Sequence, residues 1–340
     1  MNKVLEQDIK DFAASFALSN DLQDATFLIT GGTGLIGSTL IYCLLALDRT
    51  IKIVAPVRNV DKAEAMYEGY GNRVCIVECD LLDCGFDTIG KVDYIIHCAA
   101  PTASSFFVEH SAETFSVILQ GTASLLEYAN KYGIKGFVYL SSLEVYGSIN
   151  DDSIVVTEDV QGYLNPLSLR SSYPMAKRAA ETLCYIYAKE FHLPVKIARL
   201  TQTTGAGVSK EDNRVIVQFA RLAMEHKDIV LHTNGESARP YCYTMDAISA
   251  ILYILLRGAD GAAYNVANEM TYISVVDMAH FLKKEFAPHI NIRFELDENS
   301  SYAPTTKLRL SALKLRALGW QPQYGLKQLF GRLIEYLHSS

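Results

Sequence analysis

Thr26-Phe27-Leu28-Ile29-Thr30, running straight into Gly31-Gly32-Thr33-Gly34-Leu35-Ile36-Gly37, is the stretch that decides the fold. An apolar run between threonines reads as a strand covered on both faces, as strands of parallel sheets are. Residues Leu35 to Leu47 then read as a helix. Glycines at 31, 34 and 37 permit a tight turn, close backbone approach to a pyrophosphate, and close packing of the helix on the sheet. The start of the helix offers unpaired N–H groups to an anion. Glycines also mark ordinary turns, but between a strand and a helix they point to a dinucleotide. Gly31, Thr33, Gly34, Leu35, Ile36 and Gly37 are the expected contacts.

Working outward, strand-like runs recur at Ile51–Val57, Val74–Val77, Tyr94–Ile96, Phe137–Leu140 and Val195–Ala198. Helical stretches lie between them, notably Ala112–Tyr132 and Pro174–Phe191, and an amphipathic helix over residues 3–18 precedes the first strand. This alternation predicts an α/β fold, a Rossmann-type doubly wound parallel sheet. After Leu200 the pattern turns irregular and predicts a smaller mixed α/β substrate-binding lobe. The expected division is 1–200 for the Rossmann domain and 201–340 mainly for the lobe, with 241–268 returning to the first domain and a cleft between the two.

The chain has 340 residues, 49% apolar and 20% charged, with a net charge of −7. That balance carries no basic footprint for nucleic acid or an acidic membrane surface. The longest apolar run, Ala247–Leu256, is about half of the roughly 20 residues a spanning helix needs, and reads as a buried helix. Residues Met1–Asp8 lack the order of a signal peptide, so the cytoplasm is the expected compartment. The seven cysteines form no C-x-x-C pair and read as reduced, mostly buried thiols. Cys75, Cys79 and Cys84 are close in sequence, yet no histidine at ligand spacing joins them, and no metal is expected.

Tyr173 and Lys177 stand four residues apart, with Ser142 upstream. That spacing puts phenol and ammonium on one helix face. A neighbouring cation lowers a phenol's pKa and makes it usable as a base. The pair, after a glycine-rich turn, is therefore expected to handle a proton in a machine that moves hydride.

The glycine spacing, Ser142 and Tyr-x-x-x-Lys together resemble the extended short-chain dehydrogenase/reductases, the family of nucleotide-sugar epimerases, dehydratases and decarboxylases. The resemblance runs from about Thr26 to Gln323 and includes His97-Cys98-Ala99-Ala100-Pro101, Ser141-Ser142-Leu143-Glu144-Val145-Tyr146-Gly147 and Leu318-Gly319-Trp320-Gln321-Pro322. It implies Tyr173 as acid/base at the sugar hydroxyl, Lys177 on the nicotinamide ribose, and Ser142 hydrogen-bonded to the reacting oxygen. Asp80 and Leu81 then lie near the adenine, and Ala99, Ala100 and Pro101 line the cofactor. NAD-dependent relatives usually carry an acid near Ala55; here it is absent and Arg58 follows, which would tolerate a 2′-phosphate. NAD is the expected cofactor by family habit, with NADP left open.

Arg170-Ser171-Ser172-Tyr173, Lys177–Leu183, the Pro101-Thr102-Ala103-Ser104 turn and Glu144 look particularly like UDP-glucuronate decarboxylases. The resemblance implies Arg239 and Gln202 at the substrate diphosphate, with Arg170 and Arg214 as further substrate contacts; arginine suits the task through its planar fork of donors. Tyr146 reads as a packing residue. Ile118 replaces the asparagine common before the Gly121-Thr122 pair.

Relatives that eliminate water carry an aspartate after the catalytic Ser or Thr, and the decarboxylases a serine. Leu143 stands there, unable to give or take a proton. Epimerisation through a transient ketone needs only Tyr173, Lys177, Ser142 and the nicotinamide, so it is the preferred reaction. Glu144 is a further catalytic candidate, either enolising a carbon beside the ketone or orienting a hydroxyl. The expected substrate is a nucleotide-diphosphate sugar or polyol destined for surface polysaccharide, and the expected assembly is a homodimer through Ala112–Tyr132 and Pro174–Phe191. The alternatives are UDP-glucuronate decarboxylation, 4,6-dehydration, and a non-enzymatic dinucleotide-sensing regulator.

Overall fold

The computed structural model describes residues 1–102, 104–296 and 305–339. Ala103, in the turn singled out above, lies outside the described residues. Helix α1 (Lys3–Ser15) leads into β1 (Thr26–Thr30), α2 (Leu35–Leu47), β2 (Lys52–Val57), α3 (Val60–Tyr67), β3 (Val74–Glu78) and β4 (Tyr94–His97). There follow α4 (Ser104–Glu109), α5 (Ser111–Tyr132), β5 (Gly136–Ser142), β6 (Asn150–Val156), α6 (Ser172–Glu190), β7 (Val195–Leu200) and β8 (Gln202–Thr204). The remainder comprises α7 (Val215–Met224), β9 (Ile229–Leu231), β10 (Ala238–Arg239), β11 (Tyr241–Tyr243), α8 (Thr244–Arg257), β12 (Ala263–Val266), β13 (Ile273–Ser274), α9 (Val275–Glu285), β14 (Ile292–Phe294), β15 (Lys307–Leu310), α10 (Leu313–Arg316) and α11 (Leu326–His338).

Seven strands form one parallel sheet in the order β12-β7-β5-β4-β1-β2-β3. The expected doubly wound sheet is borne out. The order reverses between β1 and β4, so the carboxyl ends of those two strands flank the crevice where such sheets take their ligands. Side chains alternate across the sheet with the period of two that strands impose. Phe27 and Ile29 bury into one core with α2 and α8, while Leu28 buries into the opposite core with α5 and α6. Val138 and Leu140 repeat the first pattern, and Phe137 and Tyr139 the second.

A mixed sheet, ordered β13-β10-β15-β6, stands apart from the main one. Leu143, Val145, Tyr146, Ile149, Val156, Leu308 and Leu310 form its small core. The run Ala247–Leu256 is a buried helix, as expected, and packs on β5 and β7. Trp320 seals its start: the indole N–H donates to the Asp246 carbonyl at 3.2 Å, and the Asp246 carboxylate accepts from the N–H groups of Gln323 and Tyr324. Among the described residues, no helix is long and apolar enough to cross a membrane.

The expectation that the cysteines are all reduced is overturned. Cys79 and Cys84 are joined by a disulfide. Cys79 closes the strand β3 ladder, and the chain turns back at once through Asp80–Asp83, which brings Cys84 to its sulfur. That reversal depends on backbone hydrogen bonds, which spacing between cysteines does not reveal. Cys43, Cys184 and Cys242 are buried free thiols, whereas Cys75 is exposed.

Candidate functional site

The glycine turn sits at the carboxyl end of β1. Gly31 adopts φ +69°, and a Cβ there would come within 2.9 Å of the Ala99 nitrogen. A Cβ on Gly37 would lie 2.3 Å from the Gly31 carbonyl oxygen. Backbone therefore packs on backbone with no room for a side chain, and Gly34 caps α2 in extended geometry. Ala99 N–H donates to Thr30 Oγ1 at 3.2 Å, which ties the β4 end to the β1 end. A dinucleotide fits this cradle: its bare turn and free helix N-terminus suit a pyrophosphate. Arg58 is exposed just beyond β2 and Asp80 just beyond β3. Leu81 packs against Gly121 of α5, where an added Cβ would meet the Leu81 side chain at 3.1 Å.

Ser142, Glu144, Arg170, Tyr173 and Lys177 converge beside the carboxyl end of β5. Ser142 ends that strand and its hydroxyl accepts the Glu144 N–H at 3.2 Å. Tyr173 and Lys177 occupy the first turns of α6, both buried. Lys177 Nζ lies 5.8 Å from the Tyr173 ring centre and 4.7 Å from that of Tyr139, and donates to the Leu140 carbonyl at 2.6 Å. Burial pulls the ammonium down to about 8, against the opposing pull of Glu181.

The expected lowering of the Tyr173 pKa by Lys177 is not what this arrangement produces. Burial holds the phenol above its ordinary value, Glu144 pushes it further up, and a hydrogen bond with Ser142 and the charge of Arg170 oppose them. The ammonium donates to the Leu140 carbonyl and lies 5.8 Å from the Tyr173 ring centre, so the helix spacing brings the two residues together while burial sets the direction in which the phenol shifts.

Glu144 and Arg170 form a two-pronged ion pair, with oxygens 2.8 and 2.9 Å from the guanidinium nitrogens. The same guanidinium lies over the Phe107 ring, 5.2 Å from its centre. Leu143, by contrast, is buried in the apolar cluster of the smaller sheet. Ile118 is a core residue of α5. Tyr146 also packs: its hydroxyl lies 2.5 Å from Asn265 Oδ1, and Arg199 covers its ring.

The remaining candidates lie in the β8–β10 region. Gln202 opens β8, which pairs with β11. Arg239, on β10, is half-buried, and its guanidinium reaches Thr306 Oγ1 at 3.4 Å. Among the described residues no carboxylate pairs with it. Arg214 differs: it forks onto Asp212 at 2.7 to 3.1 Å and donates to the Thr203 carbonyl at 2.6 Å. Its donors brace the loop next to Gln202. Among the described residues no cluster of histidines, cysteines or carboxylates could hold a metal.

Sequence reasoning missed Phe107. It stacks on Tyr173, ring centres 4.2 Å apart and planes within 6°. The available signal was its place in the connection after β4, whose carboxyl end faces the crevice.

A family model described as the NAD dependent epimerase/dehydratase family matches residues 27–267. UDP-glucuronic acid decarboxylase 6 of Arabidopsis thaliana is 28% identical over 304 residues, covering 88% of this chain and 85% of its own. A dTDP-D-glucose 4,6-dehydratase of Dictyostelium discoideum is 32% identical over 277 residues, 76% of this chain and 62% of that one. Among solved structures, a UDP-glucose 4-epimerase of Thermotoga maritima, with UDP-glucose, superposes with a TM-score of 0.79 at 21% identity, covering 92% of this chain and 98% of its own. An epimerase of Methanothermobacter thermautotrophicus gives 0.78 at 23% identity, over 97% and 95% of the two chains. These two share the fold. The family match spans well over half of the chain and agrees with the glycine cradle and the Ser142–Tyr173–Lys177 cluster, and the chain belongs to the NAD-dependent epimerase/dehydratase family of enzymes.

Proposed function

We propose that the protein is a nucleotide-sugar epimerase working through a transient keto sugar. The observation that carries this reading is the pairing of Glu144 with Arg170 beside a buried Leu143. Leu143 has no proton to give, and Glu144 is engaged by a two-pronged partner, so Tyr173 and Ser142 are the proton-handling groups left at the site. NAD, when bound, would supply the acceptor for hydride from the sugar carbon and the donor for its return to the opposite face. Tyr173 accepts the hydroxyl proton as the ketone forms and gives it back on reduction, Ser142 holds the oxygen, and Lys177 supplies positive charge beneath the ring. Gly31, Thr33, Gly34, Leu35, Ile36 and Gly37 would hold the pyrophosphate, Ala99–Pro101 the nicotinamide half, and Arg58, Asp80 and Leu81 the adenosine half. Arg239 and Gln202 would take the substrate diphosphate against the smaller sheet. Glu144 orients a sugar hydroxyl through its fixed carboxylate. A homodimer through α5 and α6 belongs to the same reading, supported by exposed Phe115 on α5 and by Tyr185 and Ile186 on α6.

A second reading, UDP-glucuronate decarboxylation, is favoured by the names of the relatives. Incubating the purified protein with a panel of nucleotide sugars and weighing the products separates the readings. Unchanged mass with a new NMR spectrum is expected. Loss of carbon dioxide establishes the second reading, and loss of water a dehydratase. A Tyr173→Phe enzyme that turned over normally would refute the acid/base assignment in any of the three.

A further inference from the structure

The side chains beside Ser142 form a continuous pile. The Glu144 carboxylate grips Arg170, the Arg170 guanidinium covers one face of the Phe107 region at 5.2 Å, and Phe107 lies flat on Tyr173 at 4.2 Å. Lys177 completes it, 5.8 Å from the Tyr173 ring centre. Phe107 is 1% exposed, although it sits in the six-residue α4. Its carbonyl accepts from Ser172 Oγ at 2.9 Å and from Ser111 Oγ at 2.7 Å. Ser172 directly precedes Tyr173, so the backbone that carries Phe107 is bolted to the turn that carries the phenol.

We propose that Phe107 is a positioning residue for Tyr173, holding the plane of the phenol and coupling it through Arg170 to Glu144. The proposal rests on the reading of Tyr173 as the acid/base. Its physical basis is the geometry of a stack. A tyrosine ring in a helix rotates about two side-chain bonds, and a flat partner at van der Waals distance leaves it one plane. Epimerisation makes this restriction useful, because the keto sugar turns over between two hydride steps while the phenol must stay aimed at one point. Small misplacement of a reacting group lowers rate steeply. The Arg170 guanidinium adds a cation–π contact to the Phe107 ring. Movement of Arg170 away from Glu144 would therefore disturb the phenol as well.

The same stack governs the protonation of Tyr173. The groups facing it are Ser142 and Tyr139 from β5, Glu144 from the turn after it, Arg170 from the turn before α6, and Lys177 from α6 itself. Phe107 is the face-on apolar cover among them, and burial is the leading reason the phenol is held up. Thinning that cover admits water and lets the phenol ionise at lower pH.

The test uses Phe107→Leu, which keeps most of the buried volume, and Phe107→Ala, which opens the cover. Substitutions that conserve core volume are usually tolerated, so Phe107→Leu should fold and bind NAD as wild type does. The expected result for Phe107→Leu is a kcat lower by roughly fivefold, the scale of one aromatic pair, with KM for the nucleotide sugar nearly unchanged. The reduced-nicotinamide absorbance should also develop more slowly after substrate is added, because the phenol takes the hydroxyl proton as hydride leaves the sugar. In Phe107→Ala the acidic limb of the pH–kcat profile should move to lower pH by about half a unit or more, in line with a weaker burial effect. A core-filling role alone would lower the melting temperature and leave kcat, the absorbance and the pH limb in place, and that result overturns the proposal. Tyr173→Phe, run alongside, keeps the two failures apart. If it remains active, the acid/base reading fails; if it is inactive while Phe107→Leu matches wild type in kcat and pH profile, only the positioning role fails.

Discussion

The glycine cradle allows stability and cofactor affinity to be perturbed separately. In Gly37→Ala the new methyl meets the Gly31 oxygen at 2.3 Å and the Gly31 carbon at 2.8 Å. A relaxed carbon–oxygen contact is about 3.3 Å, so the overlap is near 1 Å and falls on backbone, which cannot rotate aside. Overpacking of this kind costs about 1–3 kcal/mol or more, set against a gain of about 1 kcal/mol from alanine in a helix. Taking the upper end, a net loss of about 2 kcal/mol lowers the melting temperature by roughly 3 °C in a chain of this size. In Gly34→Ala the nearest atom is the Gly31 oxygen at 3.4 Å, an ordinary contact, so the fold should lose about 1 kcal/mol at most. Its methyl, however, stands at the helix N-terminus where a pyrophosphate would approach. NAD affinity should fall tenfold or more with little change in melting temperature. Differential scanning fluorimetry and calorimetric titration with NAD read the two quantities. If Gly37→Ala melts with the wild type, close helix–strand packing is not what position 37 protects. If Gly34→Ala binds NAD unchanged, the pyrophosphate does not lie over this turn.

Two further outcomes concern other parts of the molecule. His97 is buried, with Nδ1 2.7 Å from Thr30 Oγ1, and burial, helped by Lys177, pushes its pKa down to about 3. The unfolded chain takes up that proton near pH 6.5 and the folded one does not, so stability falls as pH drops from 6.5 towards 3, by up to about 1.4 kcal/mol per unit. The carboxyls of Asp246 and Asp8, raised by burial to about 7 and about 6, titrate in the same range with the opposite sign, so the readout is the difference between wild type and His97→Asn. From pH 7 to pH 5 the wild-type urea midpoint should fall relative to that of the variant, and a difference that did not change with pH would rule out this histidine as the source. Arg239→Leu should raise KM for the nucleotide sugar by tenfold or more, the scale of one charge-assisted hydrogen bond, whereas Arg214→Leu should mainly lower the melting temperature, because Asp212 and the Thr203 carbonyl lose their donors. Equal effects of the two on KM would show that the loop brace also touches substrate.

Most of the dinucleotide half was legible because its signals are local. Strand β1, its glycine turn and α2 are contiguous, and Leu35–Leu47 ends where its apolar pattern does. The Tyr173–Lys177 proximity was legible for the same reason, since helical periodicity brings the pair together. The smaller sheet was not, as β6, β10, β13 and β15 come from segments far apart in sequence, and two of them are only two residues long.

The sequence by itself determined the α/β class, the place of the cradle and the Tyr173–Lys177 pair, because each follows from local patterning along strands and helices, while Ser142 joined them through the family resemblance. Tertiary structure decided what those groups face. It set Glu144 on Arg170, laid Phe107 on Tyr173, turned Lys177 toward Leu140, committed Arg214 to Asp212 and closed the Cys79–Cys84 bond. Charge, stacking and burial act through space over a few ångströms. Residues tens of positions apart become neighbours when the chain folds, and the protonation and orientation of the site belong to those neighbours.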